Sequence, residues 1–250
     1  MNESKWGIAV AQAMLPPGAH KNIKRYFSLI NDALDAQISE IGSAPQPSSS
    51  SVTPVGVRPT SPPDPAADAL RLKLYSFATI AVENQRCSCE DEGISPLNTL
   101  GVHWKHHHNA SPGAVPAASL AIHEQLHAAA LDPPQPFGLY DFRKNLGNHA
   151  KGMGALYRGR GFVQLTGFSN YKTYSRLAKV PHLVIHPELA SKPANAARIL
   201  AAYILHHRSR ILAALHRRDF KAARQVVNGK RALAWDKMAA SYQIGEKLLS

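Results

Sequence analysis

Only two of the 250 residues are cysteine, Cys87 and Cys89, and a single residue separates them. A disulfide between positions so close would close a strained ring. No cystine framework therefore holds this chain, and it tolerates a reducing compartment. Nor is there any run approaching the ~18 apolar residues that a membrane span needs. The opening MNESKWGIAVAQAML makes a poor signal peptide, because Glu3 cancels Lys5 and Gln12 interrupts the apolar run. It reads as the first helix of the mature protein, which places synthesis in the cytoplasm and any action at the cell wall or outside after release. Acidic residues are scarce too, 17 against 29 lysines and arginines, for a net charge of +12. Finally, almost nothing alternates with period two, so strands should be few and short.

What is present is a helical pattern with two interruptions. A chain of this length can bury a full core, and its 44% hydrophobic fraction is ordinary for a globular protein. Over residues 19 to 41, Ile23, Phe27, Ile30, Leu34, Ile38 and Ile41 recur at spacings of three and four, which predicts an amphipathic helix. Residues 43 to 66 are mostly Ser, Pro, Thr, Val, Gly and Ala with seven prolines, so a disordered linker is expected. A second helix is expected from about Ala67 to Gln85, with Leu70, Leu74, Phe77, Ala78 and Ala81 on one face. Residues 101 to 136 carry His103, His106, His107, His108, His123 and His127 and read as an insertion, with a short helix in AASLAIHEQLHAAAL. From Ser169 on the pattern is helical throughout. The expected helices are Asn170 to Ala178, Asn195 to Leu215, Phe220 to Val227 and Trp235 to Leu249. Ile199, Ala202, Tyr203, Leu205, Ile211 and Leu215 are the core candidates of the long one. The class is mainly α.

The stretch LYRGRGFVQLTGFSNYKTY, Leu156 to Tyr174, reads as a site. Gly159, Gly161 and Gly167 let backbone approach a ligand or turn sharply. Gln164, Thr166 and Asn170 offer neutral hydrogen-bonding groups, and Tyr157, Phe162 and Tyr171 offer aromatic faces. That combination suits a polyhydroxylated, uncharged ligand such as a sugar. Composition alone serves a Gly-rich turn leading into an ordinary helix equally well.

Carboxylates could make such a site hydrolytic. Inverting cleavage of a glycosidic bond needs an acid for the leaving oxygen and a base for water, about 6.5–9.5 Å apart. Glu83 follows the apolar run Ala78-Thr79-Ile80-Ala81-Val82, and apolar surroundings suit a general acid. Glu92 follows a polar loop, which keeps a carboxylate ionised and suits a base. By chemistry alone Glu90 and Asp91 are equally eligible, and the three acids together could be a solvated turn.

The order of these residues closely resembles family 19 glycoside hydrolases, in the branch of bacterial chitinases and phage-type endolysins. Tyr157 to Gly167, followed by Ser169-Asn170-Tyr171, resembles the family's central motif. ATIAVEN (Ala78 to Asn84), GISPLNT (Gly93 to Thr99), FGLYDFRKNLGN (Phe137 to Asn148), VVNG (Val226 to Gly229) and YQIGEKLL (Tyr242 to Leu249) extend it over roughly residues 69 to 100 and 137 to 249. The resemblance implies a lysozyme-like, two-lobed helical bundle with few short strands, a single catalytic domain over 1 to 250 interrupted by the two insertions. It implies Glu83 as general acid and Glu92 as base, with Thr166 helping to hold the attacking water. Tyr157, Gln164, Asn170 and Asn228 become substrate-binding residues. The implied substrates are β-1,4-linked N-acetylglucosamine polymers, chitin or peptidoglycan glycan strands, cut without cofactor or metal. Departures stand at Asn84 and Gln85, where the family commonly has Thr and Gly, in Arg86-Cys87-Ser88-Cys89, and at Gln243, where a basic residue is common.

Rival classes are weaker. The His106 to His108 run with Cys87, Cys89 and the acidic turn could bind zinc, but the spacing is not that of a closed site. A catalytically weakened relative, acting as a wall, sugar or metal-binding module, is the alternative function. The excess charge at Arg208, Arg210, Arg217, Arg218, Lys221, Arg224, Lys230 and Arg231 would attract polyanions. No nucleic-acid motif accompanies it, so no nucleic-acid partner is expected. The expected state is a monomer.

Overall fold

The computed structural model describes residues 3–42, 64–84, 86–95, 98–99 and 135–250. Most of the expected linker (43–63) and most of the His-rich insertion, its proposed helix included, lie outside them. The helices run in order α1 (Ile8–Met14), α2 (His20–Gly42), α3 (Pro65–Glu83), α4 (Met153–Leu156), α5 (Phe168–Leu177), α6 (Pro193–His206), α7 (Arg208–His216), α8 (Phe220–Asn228) and α9 (Trp235–Leu249), with short 3-10 turns among them. The class is mainly α, and the described extended pairing is two isolated bridges, Asp91 with Arg160 and Arg160 with Leu165. The chain divides into two compact units, Met1–Ser88 with Ala197–Ser250, and Cys89–Ala196.

The first unit is built round α3, against which α1, α2, α7 and α9 pack. The sequence predicts one apolar face for this helix; instead Leu70 and every residue from Leu72 to Ile80 are buried. Three polar members of that run, Lys73, Tyr75 and Ser76, find partners. Lys73 Nζ meets Asp35 at 2.7 Å, and the Tyr75 hydroxyl donates to the Ala223 carbonyl at 2.7 Å. Each large apolar side chain so buried contributes about 1.5–3 kcal/mol before the entropy of ordering it. Trp6, Phe27 and Phe77 cluster with ring centroids 5.4–6.0 Å apart. Ser241 Oγ donates to the Met14 carbonyl at 2.7 Å, tying α9 to α1.

Three departures from the sequence reading have a local cause. First, α3 begins at Pro65, inside the expected linker. Asp64 Oδ1 accepts from Ala66 N (3.0 Å) and Ala67 N (3.2 Å), and proline at the first helical position costs no hydrogen bond. Second, α3 ends at Glu83 rather than Gln85, because Asn84 leaves helical geometry at φ −142° and ψ 77°. Third, the single helix expected from Asn195 to Leu215 is two, α6 and α7, parted at His207. His206 to Arg210 is wholly polar, so no apolar side chain falls three or four positions after Leu205 to carry the buried stripe onward.

In the second unit the chain doubles back over Arg160 to Leu165, with Arg160 N to Leu165 O at 3.3 Å and Leu165 N to Arg160 O at 2.9 Å. Phe162, Val163 and Leu165 are buried in this turn. The chain then enters α5 through Gly167, whose φ of +90° and contact with the Leu146 carbonyl exclude a side chain. Among the described residues, no helix is long and apolar enough to cross a membrane.

Candidate active site

Glu92 is the best-defined polar centre of the second unit. Its backbone N–H donates to the Gly159 carbonyl at 2.7 Å, and the Gly159 N–H donates back to Glu92 Oε2 at 3.1 Å. The other carboxylate oxygen, Oε1, accepts from the Tyr140 hydroxyl at 2.7 Å and from Asn98 Nδ2 at 3.0 Å. Asn98 is 1% exposed, and its amide also donates to the Gly93 carbonyl (2.9 Å) and accepts from Ser95 N (2.9 Å). Tyr140 is anchored by Asn148, whose Nδ2 donates to the Tyr140 carbonyl (2.9 Å) while its Oδ1 accepts from Phe168 N (3.0 Å) at the start of α5. Burial and the adjacent Glu92 carboxylate push the Tyr140 phenol up, so it stays a donor.

Gly159 gathers the predicted residues. A β-carbon there would lie 2.8 Å from Gln164 Oε1, 3.1 Å from Glu92 Oε2 and 3.2 Å from Thr166 Oγ1. Three of the residues named from sequence therefore bring oxygens together round Gly159, where any side chain would crowd all three. Gln164 is aimed by its own amide nitrogen, which donates to the Gly161 carbonyl at 3.0 Å and to the Glu90 carbonyl at 3.3 Å. The Thr166 hydroxyl donates to the Gln164 carbonyl at 2.9 Å, and Asn170 Nδ2 to the Thr166 carbonyl at 2.8 Å.

Asp91 lies beside Glu92 in sequence but does other work. It accepts from Ser191 Oγ, from Arg158 Nη2 and from Arg160 Nε (3.2 Å). Partial burial opposes its ionisation. The Ser191 hydroxyl and the Arg160 and Arg158 guanidinium groups outweigh that and hold the carboxyl below the usual carboxylate range. Arg160 also donates from Nη1 to the Leu156 carbonyl and to the Tyr171 hydroxyl, both at 2.9 Å. Burial pushes that hydroxyl up to about 12. The cluster holds the motif segment to the Glu90-Asp91-Glu92 loop, which is thus an anchored segment rather than a solvated acidic turn.

Other expectations are corrected. Tyr157 is buried, with its hydroxyl donating to the Val184 carbonyl at 3.1 Å and its ring against Phe168 and Tyr171. Its ring packs in the core rather than standing exposed. Phe162 and Tyr171 are buried as well, so the three aromatic rings of the motif build core rather than a stacking face.

In the first unit, Glu83 ends α3 and does not have the apolar surroundings expected of it. Arg224 Nη1 lies 2.5 Å from Glu83 Oε1, with side chains 3% and 18% exposed. The contact is an ion pair by distance, although its angles do not make a hydrogen bond. Arg224 is thereby removed from the surface charge it was assigned to. Arg224 Nε donates to the Leu233 carbonyl at 2.8 Å, and Asn228 Oδ1, one turn on along α8, accepts from Leu233 N at 2.7 Å. Asn228 thus closes the loop after α8. After Glu83, Asn84 Oδ1 accepts from Ser88 N at 3.1 Å and its Nδ2 donates to the Ser88 carbonyl, folding the departure from the family pattern into a tight loop. Cys87 and Cys89 are buried and are not joined in a disulfide.

Sequence reasoning named Glu92, Gln164 and Thr166 but missed Tyr140, Asn98, Asn148 and the Asp91 cluster. The first three stand in FGLYDFRKNLGN and GISPLNT, segments that the resemblance covers but in which no residue was given a role. Among the described residues, no group of three or more His, Cys, Asp or Glu side chains is placed to hold a metal ion. Compared with models of known protein families, the chain matches none.

Proposed function

We propose that this protein is a glycoside hydrolase that cleaves β-1,4 bonds of N-acetylglucosamine-containing polymers, chitin or peptidoglycan, with inversion. The observation that carries the reading is the convergence of Glu92 Oε2, Gln164 Oε1 and Thr166 Oγ1 round Gly159. A base must be ionised, fixed and beside a place for water. Three donors fix Glu92, and neutral oxygens flank it. In the proposed reaction Glu92 takes one proton from water as the water oxygen bonds the anomeric carbon. The glycosidic bond breaks with its electron pair on the leaving oxygen, which takes the proton of Glu83. Both carboxyls then exchange protons with solvent to reset.

A second reading is favoured by one observation. Glu83 faces the Arg224 guanidinium, so the proton donor is the less well prepared partner. On this reading the protein binds glycan strands without cutting them.

The test is the pair Glu83→Gln and Glu92→Gln on chito-oligosaccharides and on peptidoglycan. Glu83→Gln should lose most activity on natural glycosides but recover part of it on a substrate with an acidic leaving group. Glu92→Gln should lose activity on both. Binding without cleavage by the native protein would move the conclusion to the second reading.

A further inference from the structure

We propose that Tyr140 and Asn98 are positioning residues that saturate Glu92 Oε1, making Oε2 the oxygen that receives the proton of the attacking water. The inference rests on the hydrolase reading, and it goes beyond it by dividing the labour between the two oxygens of the base. Each carboxylate oxygen has two lone pairs. Those of Oε1 are both taken, by the Tyr140 hydroxyl at 2.7 Å and Asn98 Nδ2 at 3.0 Å. Oε2 accepts a single described bond, from the Gly159 N–H at 3.1 Å, and keeps a lone pair. That same oxygen is the one grouped with Gln164 Oε1 and Thr166 Oγ1 round Gly159.

The other two oxygens there complete the argument. The Thr166 hydroxyl hydrogen is spent on the Gln164 carbonyl, and the Gln164 amide hydrogens on Gly161 and Glu90, so both side chains present acceptors. A site walled by acceptors takes a double donor. A water that gives one hydrogen to Oε2 and the other to Thr166 or Gln164 has its lone pairs left for the sugar carbon. Were Tyr140 unable to donate, Oε1 would regain a lone pair, the carboxylate could turn, and the proton could be drawn to the wrong oxygen.

Tyr140→Phe removes the donor and keeps the ring. The expected result is a kcat lower by about ten- to a hundredfold, the worth of a hydrogen bond to a charged group. KM should stay within about twofold, because Tyr140 acts through Glu92 and not on substrate. A KM that rises while kcat and the melting temperature fall would indicate a merely structural residue and overturn the assignment. Wild-type kcat in Tyr140→Phe, with Glu92→Gln inactive, would overturn it too and leave the hydrolase standing. Full activity in Glu92→Gln would remove both. A readout independent of turnover is the ¹³Cζ resonance of Tyr140 in tyrosine-labelled protein. Its chemical shift in the wild type should differ from that in Glu92→Gln at neutral pH; identical shifts in both proteins would show that the phenol does not bond Glu92.

Discussion

Asp91→Asn should be the most destabilising single change of charge in the second unit. The aspartate closes a loop of sequence, joining Arg158 and Arg160 to Ser191, 100 residues away. Its Arg160 partner is 4% exposed and the aspartate side chain 31% exposed. Removing one member of a fully buried pair costs about 3–5 kcal/mol, whereas exposed pairs are worth about 0–1 kcal/mol. Arg160 keeps its bonds to Leu156 and Tyr171 but loses its anion, and water reaches the aspartate side. A cost of about 2 kcal/mol follows. With a urea slope of about 2 kcal/mol/M, the unfolding midpoint should fall by about 1 M at pH 7. The pH dependence has a definite sign. The folded carboxyl is held below its unfolded value, so its stabilisation is complete above about pH 4 and is lost as pH falls through the folded value. The gap between wild type and Asp91→Asn should therefore narrow in acid. A midpoint at pH 7 within about 0.2 M of wild type, on the same slope, would refute the reasoning.

Two further predictions concern the first unit. In Gly245→Ala the new methyl would lie 2.5 Å from Leu74 Cδ2 and 2.6 Å from Met14 Sδ, so overpacking should cost about 1–3 kcal/mol despite the better helix former, and calorimetry should show the melting point fall. Lys73→Met should stay within about 1 kcal/mol of wild type, because half-exposed Asp35 remains solvated; Asp35→Ala, which strands the buried ammonium, should cost about 2 kcal/mol or more in the same urea titration.

Periodicity carried the helices that pack by one face. Trp235 to Leu249 and the span of α2 are legible because their apolar residues recur at helical spacing. α3 is different: enclosed by four neighbours, it hides polar and apolar residues alike, and a one-face pattern understates its burial. The gap between α6 and α7 is written in five consecutive polar residues, but no glycine or proline marks it. At the candidate site, Gln164 and Thr166 stand near Gly159 in sequence and were legible with it. Tyr140 lies 48 residues from Glu92, and a hydrogen bond over that separation has no local signature. Tyr157 misled because a tyrosine beside a Gly-rich turn serves equally as a stacking face or, as here, as core. The surroundings of Glu83 were not legible, because the apolar run before it says nothing of the arginine that α8 brings to its carboxyl.

The proposal that Glu92 activates water directly makes one stereochemical demand. Proton NMR of the products, recorded immediately after the wild-type protein cleaves a β-1,4-linked N-acetylglucosamine oligosaccharide, reads the anomeric configuration before mutarotation. A new reducing end that is first α is the predicted result, because water enters opposite the departing bond. A new end that is first β would contradict the inverting mechanism and with it the role assigned to Glu92.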